Sequence, residues 1–249
     1  MQISTKGIIL GQVNFGDNDR YVTILTEQLG VVEAFAKNAQ RMKNKLSVGT
    51  QVFAYCHFEL FQNRNQYRLD NAQVISIFYD LRNDIAKIGL ASYFAELTRS
   101  LVREGDRAEG FLRLFLNCLH FAATGDKPLP QIKAVFELRG LSICGFMPDV
   151  VGCRECCCYE HERFVFFPLD GFLLCGDCLQ ECDRAQPQIP LNMSILTAIR
   201  HILYADFERI FSFRLSEQNL RYLEKVSEKY TLATVERTFR SLDFYHTVC

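Results

Sequence analysis

The sequence predicts an α+β multidomain chain: an N-terminal five-stranded barrel, a helical domain, and a four-cysteine module embedded among the helices. Three observations predict it. Residues 1–80 are short runs rich in Val, Ile, Phe and Tyr, separated by Gly, Asn and Asp. From residue 81 the apolar spacing changes from period two to period 3.6. Seven of the eleven cysteines fall between Cys153 and Cys182. These shifts divide the chain into 1–80 (barrel), 81–149 (helical domain, first part), 150–186 (cysteine module) and 187–249 (helical domain, C-terminal part).

Five strands are expected at Thr5–Val13, Arg20–Thr26, Val31–Ala36, Gln51–Phe61 and Tyr67–Phe78. In the fourth, Val52, Ala54, Cys56 and Phe58 share one parity and Phe53, Tyr55 and His57 the other, as a sheet covered on both faces requires. Phe15-Gly16-Asp17-Asn18-Asp19, Gln28-Leu29-Gly30 and Gln62-Asn63-Arg64-Asn65-Gln66 supply the turns. Short antiparallel strands with no long helix suit a small closed barrel. Beyond them, Leu90, Phe94, Leu97 and Leu101 form one face of a helix ending near Gly105. Further helices are expected at about Ala108–Ala123, Pro130–Cys144, Leu191–Tyr204 and Ser216–Lys229, with a short one at Thr231–Leu242. Asn192 is read as the cap of the Leu191–Tyr204 helix.

Composition excludes several classes. With 28 basic against 29 acidic side chains and 49% hydrophobic residues, the chain is neither disordered nor a strongly cationic, histone-like binder. Its longest uncharged stretch, Ala185–Ile199, contains Pro187 and Pro190, so no bilayer-spanning segment is expected, and the N-terminus lacks a signal-peptide layout. The expected compartment is the cytoplasm, where clustered cysteines point to a metal rather than to disulfides.

Cys153-Arg154-Glu155-Cys156 and Cys175-Gly176-Asp177-Cys178, eighteen residues apart, have the spacing of a zinc ribbon or knuckle. Two residues between paired cysteines let both thiolates of a tight turn face one ion, and two such turns complete a tetrahedron. Phe164–Leu174 between the pairs reads as a hairpin with a Leu169-Asp170-Gly171 turn. Cys157, Cys158, His161 and Cys182 are spare donors nearby, which leaves the register open. A closed four-thiolate set has no position for water, so a structural zinc is expected. Residues 150–186 carry a formal −4, which repels phosphate and argues against this module as a DNA reader.

A search for catalytic motifs fails. Gly105 and Gly110 have phosphate-loop spacing, but Phe111 stands where lysine is needed. No two-histidine metalloprotease helix and no nucleophile elbow occurs. The chain is read as a non-enzyme.

One basic run stands out. Lys37, Arg41, Lys43 and Lys45 carry four cations without an acid on what reads as a mobile loop after the third strand. Arg64 and Arg68 would join the same surface if the barrel is of the oligonucleotide-binding type. Phe15, Tyr21, Phe35, Tyr55 and Tyr67 are expected mostly to fill the barrel, with no more than two free to stack on bases.

Gly7-Ile8-Ile9-Leu10, Phe15–Arg20, Thr23-Ile24-Leu25-Thr26, Gly30-Val31-Val32 and Ala36–Arg41, in this order, resemble the N-terminal domain of the bacterial recombination mediator RecO family. Phe136–Pro148 leading into Cys153 and Cys156 resembles that family's last core helix running into its zinc module. The resemblance covers almost the whole chain. It implies an oligonucleotide-binding (OB) barrel, a helical domain and zinc held by Cys153, Cys156, Cys175 and Cys178. It also implies binding of single- and double-stranded DNA, annealing of complementary strands, and partnership with RecR and the acidic C-terminal tail of single-stranded-DNA-binding protein, so that RecA is loaded at gaps. The expected DNA-contacting residues are then Arg20, Lys37, Arg41, Lys43, Lys45, Arg64 and Arg68. Arg113, Lys133 and Arg139 are the expected cations for the partner tail. Where family members often carry Gly-Ala-Arg-Arg, this chain has Asn38-Ala39-Gln40-Arg41, one cation fewer. The rival reading is a zinc-ribbon interaction or transcription-associated factor whose barrel binds protein rather than DNA.

Overall fold

A computed structural model describes residues 1–64, 66–179 and 186–249, and the chain divides into two units, Met1–Thr124 with Phe239–Cys249, and Gly125–Thr238. Asn65 and the spare donor Cys182 lie outside the described residues.

In the first unit, β1 (Gln2–Phe15), β2 (Asp19–Thr26), β3 (Gly30–Ala36), β4 (Ala54–Asn63) and β5 (Gln66–Ile77) close into a barrel in the order β1-β2-β3-β5-β4. Neighbours are antiparallel except β3 and β5, which run parallel and pair at Ala34–Tyr67 and Phe35–Arg68. The five expected strands are present with shifted ends. Phe53 accounts for the late start of β4, since its φ of 67° places it in a turn. Alternation builds the interior: Ile9, Val22, Ile24, Val32, Ala34, Phe58, Leu60 and Leu69 point inward and are buried.

Ile8 and Leu10, on the opposite parity of β1, are buried as well. α2 (Ile85–Leu101) lies against that strand, and Arg99 Nη2 donates to the Leu10 carbonyl at 3.2 Å. Gly11 makes room for this contact, because a Cβ there would stand 1.9 Å from Arg99 Nη2. α3 (Glu109–Thr124) completes the helical layer with α7 (Arg240–Val248), whose Ser241 N–H donates to Glu96 Oε2 at 3.1 Å. A one-turn helix, α1 (Leu46–Gly49), follows the basic run and was not expected.

The second unit contains α4 (Leu129–Ile143), a hairpin of β6 (Phe164–Phe167) and β7 (Phe172–Cys175), β8 (Ile189–Leu191), α5 (Met193–Tyr204) and α6 (Glu217–Val235). The hairpin turns as its sequence predicts, with Gly171 at φ 70° donating its N–H to the Phe167 carbonyl at 2.8 Å. β8 is a correction, because Leu191, the expected first residue of a helix, instead pairs with Phe164 of β6. The helix begins after Asn192, whose side chain accepts the Ile195 N–H at 2.9 Å as a cap. α6 is one helix, not two: Leu220, Leu223, Val226, Tyr230 and Thr231 keep one buried face through the expected break, and Glu236 ends it at φ 53°. The expected helical domain is therefore shared, α2, α3 and α7 standing with the barrel and α4, α5 and α6 with the hairpin.

Candidate functional site

Among the described residues, two arrangements carry chemistry, one in each unit. In the second, β7 ends on Cys175, and the Cys175 and Cys178 pair meets Cys153 and Cys156 from the preceding loop. Their four sulfurs all lie within 4.8 Å of one another. Cys153 and Cys175 are buried, Cys178 is half-buried and Cys156 is exposed. Cys156 Sγ and Cys175 Sγ are 3.6 Å apart, close to the ~3.8 Å edge of a tetrahedron with metal–sulfur bonds of about 2.3 Å. The donor set thus fits a tetrahedral thiophilic ion.

Electrostatics favour the same conclusion. Burial opposes ionisation of Cys153, yet the N–H groups of Cys156, Cys175 and Glu155 converge on its sulfur and bring the thiol down to about 6. Further thiolates in so small a space repel it, so full ionisation of the set requires a cation. Among the spare donors, His161 has both ring nitrogens engaged: its Nδ1 lies against the Arg163 backbone and its Nε2 is 3.3 Å from Asp177 Oδ2. Cys157 is exposed. Cys158 is half-buried, and its thiol is pushed up to about 12, by burial first and then by hydrogen bonds to Cys156 and Cys175.

On the barrel, outward parity brings three aromatic rings together. Tyr21 pairs with Phe35 across β2 and β3, with centroids 5.3 Å apart, and Phe15 sits 5.5 Å from Tyr21 and 6.3 Å from Phe35. Phe15 is 56% exposed and Tyr21 43%, so these rings are not barrel filling. They open on a cleft of about 530 Å³ that is also lined by Phe61, Tyr67 and Arg68, with the Arg68 guanidinium 5.3 Å from the Phe61 ring centroid. Period-two parity contained this signal: Val22 and Ile24 are inside, so Tyr21 must be outside, and Ala34 and Ala36 place Phe35 likewise.

The expected DNA-contacting cations divide into two groups. Lys37, Arg41, Lys43, Lys45, Arg64 and Arg68 are exposed. Arg20 is half-buried and engaged inside the unit, donating to Asn14 Oδ1, the Ser47 carbonyl and Thr50 Oγ1 at 3.0 to 3.4 Å. Arg68 is held by Asp70 at 2.7 Å. The first half of the basic run is hydrogen-bonded to the residues that join β1 to β2. Asn38 N–H donates to Asp19 Oδ1 at 2.6 Å, Gln40 Nε2 to the Asp19 carbonyl at 2.7 Å, and Arg41 Nε to Asn18 Oδ1 at 2.9 Å, which pins the run to the β1–β2 turn. Asn38 adopts φ 56° at the position where the resembled family often has glycine, and Asn is the side chain that tolerates that region best.

The expected tail cations also divide. Arg113 on α3 is exposed. Lys133 requires correction: its side chain is wholly buried, with Nζ 2.8 Å from both Glu137 Oε1 and Glu228 Oε2, so no free ammonium faces a partner. Arg139 donates to the Ile202 carbonyl at 3.3 Å and to the Leu203 carbonyl, closing the end of α5.

A closed five-stranded barrel with an aromatic outer cleft, joined in one chain to a helical four-cysteine unit, defines a class of two-part barrel proteins. Within that class the assignment is specific: the chain belongs to the recombination protein O (RecO) family. The family profile for the recombination protein O N terminal matches residues 1–78, and that for the recombination protein O C terminal matches residues 82–243. The DNA repair protein RecO of Acetivibrio thermocellus is 33% identical over 246 residues, covering 99% of this chain and 97% of its own. That of Symbiobacterium thermophilum is 32% identical over 249 residues, with 98% and 97% covered. No helix among the described residues is long and apolar enough to cross a membrane.

Proposed function

We propose that the chain is a non-enzymatic DNA-repair mediator whose barrel, of the OB type, holds DNA single strands and whose four cysteines hold a structural zinc ion. Family membership supports a role in DNA repair. The observation that carries the finer reading is the exposed Phe15–Tyr21–Phe35 triangle over its cleft. Base–aromatic stacking contributes about 1–3 kcal/mol per base and is indifferent to sequence, which suits a protein that must act on any gap. Stacking engages base faces and leaves pairing edges open to a second strand, as annealing requires. Arg64 on the β4–β5 turn, and Lys37 and Arg41 on the run pinned to the β1–β2 turn, supply phosphate contacts beside the cleft, and these also serve duplex DNA. The strand order and the parallel β3–β5 pairing support the OB assignment.

Cys153, Cys156, Cys175 and Cys178 are the zinc ligands in this reading. Zinc supplies folding free energy there and no reaction step, since four thiolates fill its coordination. RecR, the acidic tail of single-stranded-DNA-binding protein and, indirectly, RecA are the partners the resemblance implies, with Arg113 as the remaining exposed candidate for the tail. The protein works in the cytoplasm at the nucleoid and breaks no covalent bond.

The test is annealing of complementary strands coated with single-stranded-DNA-binding protein. Acceleration without nucleotide is the expected result; a rate equal to that of the coated strands alone refutes the reading.

A further inference from the structure

Arg68 stands in the middle of an outward row on the barrel. Its register partner on β3 is Phe35 and its partner on β4 is Phe61, and Phe35 in turn pairs with Tyr21 on β2. Tyr67 and Leu69 on either side of it are buried, so period-two alternation turns Arg68 onto the outer face. Side chains of one such row are neighbours across the strands. The guanidinium lies over the Phe61 ring, 5.3 Å from its centroid and within cation–π range.

Asp70 fixes the plane of that guanidinium. Nε donates to Oδ1 at 2.7 Å and Nη2 to Oδ2 at 3.4 Å, the two-point fork by which a carboxylate aligns with it. The fork occupies one edge of the guanidinium and sets a carboxylate against its charge. Among the described residues that line the cleft, Arg68 is the one cation and Glu33 is an acid. With Asp70 beside them the local formal charge is negative, which does not draw a phosphate. A flat guanidinium backed by an aromatic ring offers its other face to a base instead.

We propose that Arg68, backed by Phe61 and held flat by Asp70, is a base-stacking platform rather than a phosphate ligand. The cleft of about 530 Å³ then takes unpaired nucleobases between two walls, the Phe15–Tyr21–Phe35 triangle and the Arg68–Phe61 stack. This deepens, and rests on, the reading that single strands lie on this face of the barrel. Phosphates stay outside the cleft, with Lys37, Arg41 and Arg64. Bases of a duplex enter a two-walled slot only after being pulled from their stack, which costs a few kcal/mol, so the slot favours single strands.

The test uses the full chain and two labelled strands of equal length, one of thymidylates and one of abasic residues that keep the phosphates and lack the bases. Fluorescence anisotropy reads affinity across a salt series. The parent should bind the thymidylate strand at least about fivefold more tightly than the abasic one. Arg68→Ala should weaken thymidylate binding by about fivefold or more, leave abasic binding within about twofold, and keep the parent's salt slope. Arg68→Lys should behave like Arg68→Ala, because an ammonium keeps the charge without the plane. Arg68→Phe should recover most of the loss, because it restores a plane without the charge. Should Arg68→Ala fold poorly, the lysine and phenylalanine variants carry the comparison. Equal weakening on both strands with a slope flatter by about 0.7 makes Arg68 a phosphate ligand and overturns the proposal. Parent-like binding by Arg68→Ala, or rescue by lysine and not by phenylalanine, overturns it too. A parent that binds the two strands alike overturns the stacking reading itself, an outcome distinct from these.

Discussion

Lys133 and Glu137, one turn apart on α4, place an ammonium nitrogen 2.8 Å from a carboxylate oxygen with neither side chain exposed. Glu228 of α6 approaches the same nitrogen at 2.8 Å, and Ser227 Oγ donates to the other Glu137 oxygen at 2.6 Å. The cluster ties α4 to α6 at the centre of the second unit. Burial alone would lower the lysine's basicity, but Glu137 and Glu228 outweigh it and hold the ammonium above its ordinary value.

Removing one partner strands the others. Lys133→Met is expected to destabilise the chain by about 3–5 kcal/mol, and Lys133→Met/Glu137→Leu to recover much of that loss, because a buried pair costs desolvation that an apolar pair does not. Since the lysine's folded pKa is raised, its contribution is fully present below the unfolded value of about 10.4 and is lost as pH rises through the folded one. Urea unfolding of parent and variants between neutral and strongly alkaline pH reads both effects; a single variant as stable as the parent contradicts them.

Arg41, Lys43 and Lys45 test the phosphate interactions. Replacing all three by alanine should flatten the dependence of log affinity on log salt for single strands by about 0.7 for each phosphate no longer neutralised, so by up to about 2. Filter binding of a homopolymer across a salt series measures the slope. An unchanged slope and affinity would move the phosphate-binding cations away from this run.

Freshly reduced protein should contain about one zinc per chain, and chelation should lower the unfolding midpoint of the second unit, since apo sites of this kind lose folding free energy. Calorimetry with and without chelator, beside elemental analysis, checks it. Metal-free protein with an unchanged thermogram contradicts it.

For the partner tail, Arg113→Ala should weaken binding of an acidic, carboxylate-ended peptide roughly tenfold, a change of about 1.4 kcal/mol expected for one charge-assisted bond, with naked-DNA binding unchanged. Arg139→Ala should act on stability instead, because its guanidinium closes α5. Titration calorimetry with the peptide separates the two; equal peptide binding by Arg113→Ala and parent moves the tail site elsewhere.

Much of this was legible in the sequence because short-range rules govern it. The five strands follow from alternation, the hairpin from Gly171, the α5 cap from Asn192, and the meeting of Cys153, Cys156, Cys175 and Cys178 from their spacing. What escaped depended on tertiary structure. Lys133 reads as a helix-surface cation until α6 supplies Glu228. Arg20 reads as a wholly exposed cation, whereas its Nη1 donates to Thr50 Oγ1 and the Ser47 carbonyl. β8 is three residues whose strand character comes from β6 alone. The aromatic cleft lay between these cases, since parity places Tyr21 and Phe35 outside but register is needed to place them side by side.

In the function proposed above, bases stack on the barrel's aromatic cleft while cations hold the phosphates. The most direct measurement of this division is single-strand affinity by fluorescence anisotropy at several salt concentrations, for the parent and for Tyr21→Ala and Phe15→Ala. Each variant should lose about 1–3 kcal/mol, roughly five- to 150-fold, at every salt concentration, with the salt slope unchanged because no phosphate-binding cation is removed. Parent-like affinity in both variants would contradict the account and take DNA off this face of the barrel.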